Sequence, residues 1–335
     1  MKKDLNKSCT LKFFIFLTFI LFYLTTLTGN FLIFTIYGQN SIDNYAKNVP
    51  DFANKDILTL TNYLIRPARN DFEKIRAIWI WITNNISYDI EGYFSNNITT
   101  YDAESTFKNR KGVCMGYTSL FKQMADIAKV NCVIIMGYVK GFNYYPGKDY
   151  KIETNHSWVA FNIDDAWYLA DPTWGSGYLD INYNFVKSYE EFYFCPDPEK
   201  LIYSHYPEER QWQLLENPVD ILTFINLVQL WPIFFKLGLK ATSHPFINIR
   251  TNKDNFELKF ETTYDNIKII TVLTYYDIFE EISRGDINIT KENNINKITI
   301  FFSLPYKGKF LIYLYCKNPE NNKYEIAGRY LVIYE

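Results

Sequence analysis

The chain has 335 residues, 48% of them hydrophobic and 19% aromatic, enough to build a full core in two or three structural units. Its net charge is −2 and no basic stripe stands out, which argues against a nucleic-acid partner. Only three histidines occur, so a histidine inside a patterned segment is informative.

The N-terminus does not read as globular. From Leu11 to Tyr37 the only charge is Lys12, and Phe13 to Phe34 is long enough to cross a bilayer, which needs roughly 20 apolar residues. Lys2, Lys3, Lys7 and Lys12 precede the run, and the polar stretch Gly38 to Asp43 follows it. The expectation is a short cytosolic tail over 1–12, a transmembrane signal anchor over 13–36, and a body that is extracellular or lumenal. The rival is a cleaved signal peptide and a secreted body. The apolar core of such a peptide is usually ~7–15 residues, shorter than this run. Cys9 then lies on the cytosolic side and Cys114, Cys132, Cys195 and Cys316 outside, with spacings that resemble no disulfide framework. No CxxC occurs, so no structural zinc site is expected. Asn-x-Ser/Thr sequons begin at Asn85, Asn97, Asn155 and Asn288, and a glycan on Asn155 would crowd His156.

Residues 41–240 read as one domain. Gln39 to Leu64 is polar and partly helical. Asp71 to Ile86 is a strong helix, with Phe72, Ile75, Trp79, Ile82 and Ile86 on one face and Asn70 or Asp71 as cap. Trp79 and Trp81 read as core. Gly92 to Asn109 reads as turn-rich, and a second helix runs from Cys114 to about Val130. Cys132 to Val139 is β-branched and reads as a buried strand. His156 to Ile163 alternates as a strand, Asp164-Asp165 turns, and Ala166 to Ala170 returns. Tyr178 to Leu239 is mixed. Over 244–335 the texture changes to short alternating strands such as Asn255 to Glu261, Lys297 to Phe302, Lys309 to Tyr315 and Arg329 to Tyr334, the pattern of an immunoglobulin-like β-sandwich.

Three segments carry chemistry: Gly112-Val113-Cys114-Met115-Gly116-Tyr117, Asn155-His156-Ser157-Trp158, and Trp167-Tyr168-Leu169-Ala170-Asp171-Pro172-Thr173-Trp174-Gly175. They supply a thiol, an imidazole and a carboxylate, the parts of a Cys-His-Asp site for acyl transfer at an amide. Cys114 at a helix start gains from the macrodipole and offers its own N–H to an oxyanion. Gly112 and Gly116 read as places where a substrate backbone comes close. A simple hairpin count sets His156 opposite residues 173–174, so a small offset or bulge is needed to bring Asp171 beside it. His205 reads as structural. No metal is expected from Cys114, His156 and Asp171, because one histidine is a poor basis for such a site.

This ordering on helix, strand and strand resembles the transglutaminase-like superfamily of papain-type folds, and within it the kyphoscoliosis peptidase group. The same resemblance extends to Ile82-Thr83-Asn84-Asn85-Ile86-Ser87-Tyr88-Asp89, to His205-Tyr206-Pro207-Glu208, to Gln211-Trp212-Gln213-Leu214-Leu215 and to the β-rich tail. It implies an α+β papain-like core. It also implies Cys114 as nucleophile, His156 as base and Asp171 as orienting group, with no cofactor. Val159 replaces the Asn common after His-x-Trp, and Asp171-Pro172 replaces the usual Asp-Ser; neither removes a catalytic group. The Trp and acidic calcium sites of crosslinking transglutaminases are missing. Trp158 and Trp174 are expected to pack around the triad, and Trp79, Trp81 or Tyr88 to offer a second oxyanion donor. The expected activity is that of a membrane-anchored cysteine peptidase or amidase, or a transamidase, on proteins or peptides, which include those of a cell wall or matrix. The alternative is an inactive scaffold that binds protein partners.

Overall fold

The computed structural model describes residues 41–95, 97–148 and 152–335. The expected membrane anchor lies outside them. Among the described residues no helix is long and apolar enough to cross a membrane. Two cores are built from separate stretches of chain, one from Ile42 to Leu201 and one from Val228 to Val332.

The first core is a helical layer on a four-stranded antiparallel sheet. Its helices are α1 (Ile57–Leu64), α2 (Asp71–Asn85), α3 (Ile90–Ser95), α4 (Ala103–Asn109) and α5 (Cys114–Ile127). Asn70 caps α2 by accepting from the Glu73 amide at 2.9 Å, and Trp79 and Trp81 are buried inside it. The stretch from Gly92 to Asn109 is not all turn. Asp102 caps α4 by accepting from the Ser105 amide, a local signal too short to register as periodicity. Arg76 of α2 is buried, donates to Asp43 at 2.8 Å and to Glu191 at 2.6 Å, and ties the start of the described chain to the far side of the core.

The sheet runs β3 (Ala166–Ala170), β2 (His156–Ile163), β1 (Cys132–Val139), β4 (His205–Pro207) in space. The bounds of β1, β2 and β3 coincide with those read from the sequence. The two-residue turn Asp164-Asp165 has positive φ at both positions, as the tight hairpin turn that matches strand twist requires. It locks the pairing Ile163 with Ala166 through Val159 with Ala170, with no shift of register. Helix α5 lies against this sheet, with Phe121 6.3 Å from Phe161 between ring centres and the Thr118 and Ser157 hydroxyls 3.1 Å apart.

The second core is a β-sandwich. One sheet orders Lys240–Ala241, Asn255–Thr262, Ile295–Ser303 and Asp286–Glu292. The other orders Asn248–Thr251, Tyr324–Tyr334, Gly308–Lys317, Ile269–Tyr275 and Glu281–Ser283, with Gln229–Leu230 paired to Tyr324–Tyr334. Leu258, Phe260, Ile298 and Ile300 are buried and alternate with more exposed residues along their strands, while Phe310 to Leu314 of the facing sheet are buried without a break.

The two cores are joined beside the loop that leads into β2. Arg329 donates to the Tyr144 carbonyl at 2.8 Å and to Gln229 at 2.9 Å, while the Tyr276 hydroxyl donates to the Pro146 carbonyl at 2.7 Å. Gln229 donates on to the Lys140 carbonyl at 3.0 Å. Lys140 itself is buried, donates to the Leu227 carbonyl at 2.6 Å and sits 4.7 Å from the Phe224 ring centre. Burial, reinforced by Arg329, pushes the Lys140 ammonium down to about 7. The unfolded chain then holds a proton on Lys140 that the folded chain has released, from about pH 7 up to its ordinary value near 10.5. Lys140 therefore lowers stability most below pH 7, and the loss is recovered as pH rises through that window. Lys140→Met is expected to raise the urea midpoint at pH 6.5 by more than at pH 9.5, a comparison that chemical unfolding at the two pH values reads directly.

Candidate active site

Three elements meet at one point. Helix α5 begins at Cys114, β2 begins at His156, and the chain leaves β3 one residue before Asp171. The short parallel pairing of Ser87–Tyr88 with Lys111–Gly112 delivers the chain to Cys114 and sets Tyr88 across from Gly112. A Cβ on Gly112 or Gly116 would strike Thr106 or the Thr100 carbonyl. The close approach these glycines allow is thus to the chain's own 100–106 segment, which buttresses the helix start, and not to a substrate.

The Cys114 thiol is in electrostatic contact with the His156 imidazole and with Ser157. On the far side of the ring, His156 Nε2 lies 2.8 Å from Asp171 Oδ2. No bulge is needed to make this contact. Continuing the locked register sets Asp171 opposite Trp158 and diagonal to His156, a separation that long side chains span. Asp171 turns inward because its Oδ1 accepts from the amides of Thr173 at 2.9 Å and Trp174 at 3.1 Å, while its carbonyl accepts from Gly175 at 2.9 Å. Gly175 has to be glycine here, since a Cβ would fall 2.2 Å from the buried Trp79 ring.

His205 enters the site from β4. Its Nε2 lies 3.0 Å from the same Asp171 Oδ2, and its Nδ1 is 2.8 Å from the Ser204 hydroxyl. From the sequence His205 reads as structural, since no second thiol or base is placed to use it; the pairing of β4 with β1 brings it to Asp171. The one signal was its rarity as a histidine in a patterned segment. Asp171 thus accepts four donors, two on each oxygen, which fills the acceptor capacity of a carboxylate. Trp158 and Trp174 pack on the pair as expected, with ring centres 6.3 and 5.7 Å from that of His156.

The electrostatics follow from this burial. Burial raises a carboxyl pKa, but His156 and then His205 outweigh it and hold Asp171 well below the usual carboxylate range. Burial lowers an imidazole pKa, but the Asp171 charge, with Cys114, lifts His156 to about 10. The Cys114 thiol is lowered: burial opposes ionisation, and contact with His156 and Ser157 overcomes it. His205 goes the other way, lowered by burial and by the charge on His156, so it stays neutral and donates its Nε2 proton to Asp171. Cys132, Cys195 and Cys316 are all pushed up to about 12 by burial. All four described cysteines are free thiols, and Cys114 alone of them is lowered.

Among the three proposed oxyanion donors, Trp79 donates its N–H to the Tyr189 hydroxyl at 3.2 Å, and Trp81 is stacked on Phe107 under Arg110. Tyr88 is the one in electrostatic contact with Cys114; its phenol is raised by burial and then by that thiol, so it keeps its proton. Asn155 accepts from the Val139 amide at 2.8 Å and donates back to the Val139 carbonyl at 3.1 Å, so its amide is engaged at the sheet edge. His156, Asp171 and His205 also place three ligand atoms within 4.8 Å of one another, a second histidine that the sequence reading lacked. Each of those atoms already has a hydrogen-bond partner, so a cation there would have to break the His156–Asp171 contact.

A lowered thiol at a helix N-terminus, an imidazole at the start of an interior strand and a buried carboxylate behind it make up a Cys-His-Asp arrangement. Residues 58–172 match the model of the transglutaminase-like superfamily, and residues 221–335 match that of the KY-like, immunoglobulin-like domain. The chain is 36% identical to human kyphoscoliosis peptidase over 205 residues, 61% of this chain and 31% of that protein. It is 26% identical to hillarin of Drosophila melanogaster over 293 residues, 81% of this chain and 36% of that protein. It is 25% identical to cytokinesis protein 3 of Saccharomyces cerevisiae over 173 residues, 50% of this chain and 19% of that protein. The chain therefore spans only about a third or less of the length of these relatives. Residues 58–172 thus carry a domain of the transglutaminase-like superfamily, and the chain is similar to the kyphoscoliosis peptidase group.

Asp171→Asn tests the orienting contact. An Asn amide would donate to His156 Nε2, leaving the ring proton on Nδ1, where it cannot accept from the thiol. Alkylation of Cys114 at pH 7 is expected to slow at least about tenfold, with circular dichroism unchanged, read by the rate of iodoacetamide labelling.

Proposed function

We propose that this chain is a cysteine-dependent acyl-transfer enzyme that attacks amide bonds of proteins or peptides. The observation that carries the reading is the one activated thiol among the described residues: Cys114 is lowered while Cys132, Cys195 and Cys316 are raised. In this mechanism the Cys114 thiolate attacks the amide carbonyl and the carbon–sulfur bond forms. Negative charge collects on the carbonyl oxygen, and we assign its stabilisation to the Cys114 backbone N–H at the helix N-terminus and to the Tyr88 hydroxyl. His156 gives its Nδ1 proton to the departing amine, the carbon–nitrogen bond breaks, and a thioester remains. His156, now neutral, takes a proton from the acceptor as that acceptor attacks the thioester; the carbon–sulfur bond breaks, the acyl group leaves on the acceptor and the Cys114 thiolate is released. Asp171 keeps the imidazole in one tautomer throughout. Water as acceptor gives a peptidase or amidase, and an amine gives a transamidase.

We further propose that the apolar run over 13–36 holds this body at a membrane, on its extracellular or lumenal side. The human relative is named a peptidase, which fits hydrolysis.

Two experiments test the reading. Iodoacetamide at neutral pH is expected to modify Cys114 well ahead of Cys132, Cys195 and Cys316, and His156→Ala to abolish that lead. Mass spectrometry of the labelled peptides decides, and equal labelling that ignores His156 would overturn the proposal. Tyr88→Phe is expected to lower thioester formation from an activated peptide ester by about 10²-fold, the scale of a lost oxyanion donor, while leaving iodoacetamide labelling close to wild type. Stopped-flow acylation kinetics measure the difference.

A further inference from the structure

Beside the reacting groups lies a cluster of aromatic rings that the mechanism does not use. Phe94, Phe142 and Tyr183 come from three separate stretches of chain and are 52%, 44% and 54% exposed. Their ring centres are 5.4 to 6.1 Å apart, each edge-on to the next. Three large rings in mutual contact and open to solvent are costly for a protein to display unless something covers them.

The cluster is continuous with the site on two sides. On the thiol side, Tyr93 contacts both Phe94 and Phe142 and lies 6.0 Å from Tyr88, which stands in electrostatic contact with Cys114. On the imidazole side, Phe142 follows Gly141, whose Cβ position is 3.7 Å from the Trp174 ring, and Trp174 packs on His156. The two routes close on Phe142, so the cluster flanks the place where the attacked amide would lie. The three exposed rings carry no charge, and edge-to-face gaps of this size accept another ring or a branched aliphatic group.

We infer that Phe94, Phe142 and Tyr183 form a substrate subsite that receives an aromatic or large aliphatic side chain flanking the attacked amide. The substrate class is then an extended polypeptide segment with an exposed apolar residue, as unfolded or partly unfolded proteins present. This inference rests on the reading of Cys114 as the nucleophile.

The test uses the full chain and protection of Cys114 from iodoacetamide. Acetyl-Phe-Ala-Phe-amide is expected to slow labelling of Cys114 at a concentration about tenfold lower than acetyl-Ala-Ala-Ala-amide, as burial of a ring would give. Combined Phe94→Ala, Phe142→Ala and Tyr183→Ala is expected to erase that difference. Its labelling rate without peptide should stay at the wild-type value, which also reports that the site is folded. Should the triple variant label abnormally, the single changes Phe94→Ala and Tyr183→Ala, both at exposed side chains, are each expected to narrow the difference. Equal protection by the two peptides in the wild-type chain, or a difference that survives the substitutions, overturns the subsite. A labelling rate indifferent to His156→Ala overturns the nucleophile instead, and leaves the peptide comparison to report on the platform by itself.

Discussion

The saturated carboxylate of Asp171 is the constraint on which the rest of the site depends. It is buried, it carries full charge, and it can do so only because four donors converge on it. Two come from backbone amides of the turn it begins, and two from histidines on different strands. A buried charge with fewer partners would cost several kcal/mol or take up a proton. Once satisfied, it raises the His156 imidazole, and contact with that imidazole lowers the Cys114 thiol. The thiol is thus tuned by a carboxylate on the opposite side of the imidazole.

The wider fold serves that arrangement. The Asp164-Asp165 turn fixes the register that puts Asp171 diagonal to His156. Strand β1 brings β4, and with it His205, to the same carboxylate. Trp79 of α2 packs so closely on Gly175 that the Asp171 turn has one place to sit. The β-sandwich contributes from a distance. Arg329 and Tyr276 hold Tyr144 and Pro146 in the loop that runs into β2, so the second core braces the segment that carries His156. The same junction buries Lys140 without a carboxylate partner among the contacts it makes.

Much of this was legible in the sequence. The helix opening at Cys114, the strands from Cys132, His156 and Ala166, and the change to alternating strands in the C-terminal region follow from period and turn chemistry alone. The three principal residues of the site follow from chemistry and order. What was not legible depends on pairings far apart in the chain. One such feature is the contact of His205 with Asp171, since no local pattern shows that a three-residue strand will lie beside β1. The supposed bulge before Asp171 came from counting directly opposed residues, whereas the contact runs along a diagonal. Gly112 and Gly116 were credited to a substrate because the chain segment they face, 100–106, looked like featureless turn.

The most direct measurement is a titration of the Cys114 thiolate by its ultraviolet absorbance, taken as the difference between the wild-type chain and Cys114→Ser. The account predicts thiolate present at pH values well below the ordinary cysteine range, and gone from that region when His156 is replaced by Ala. A thiol that titrates in the ordinary range, and does so equally with or without His156, would contradict it.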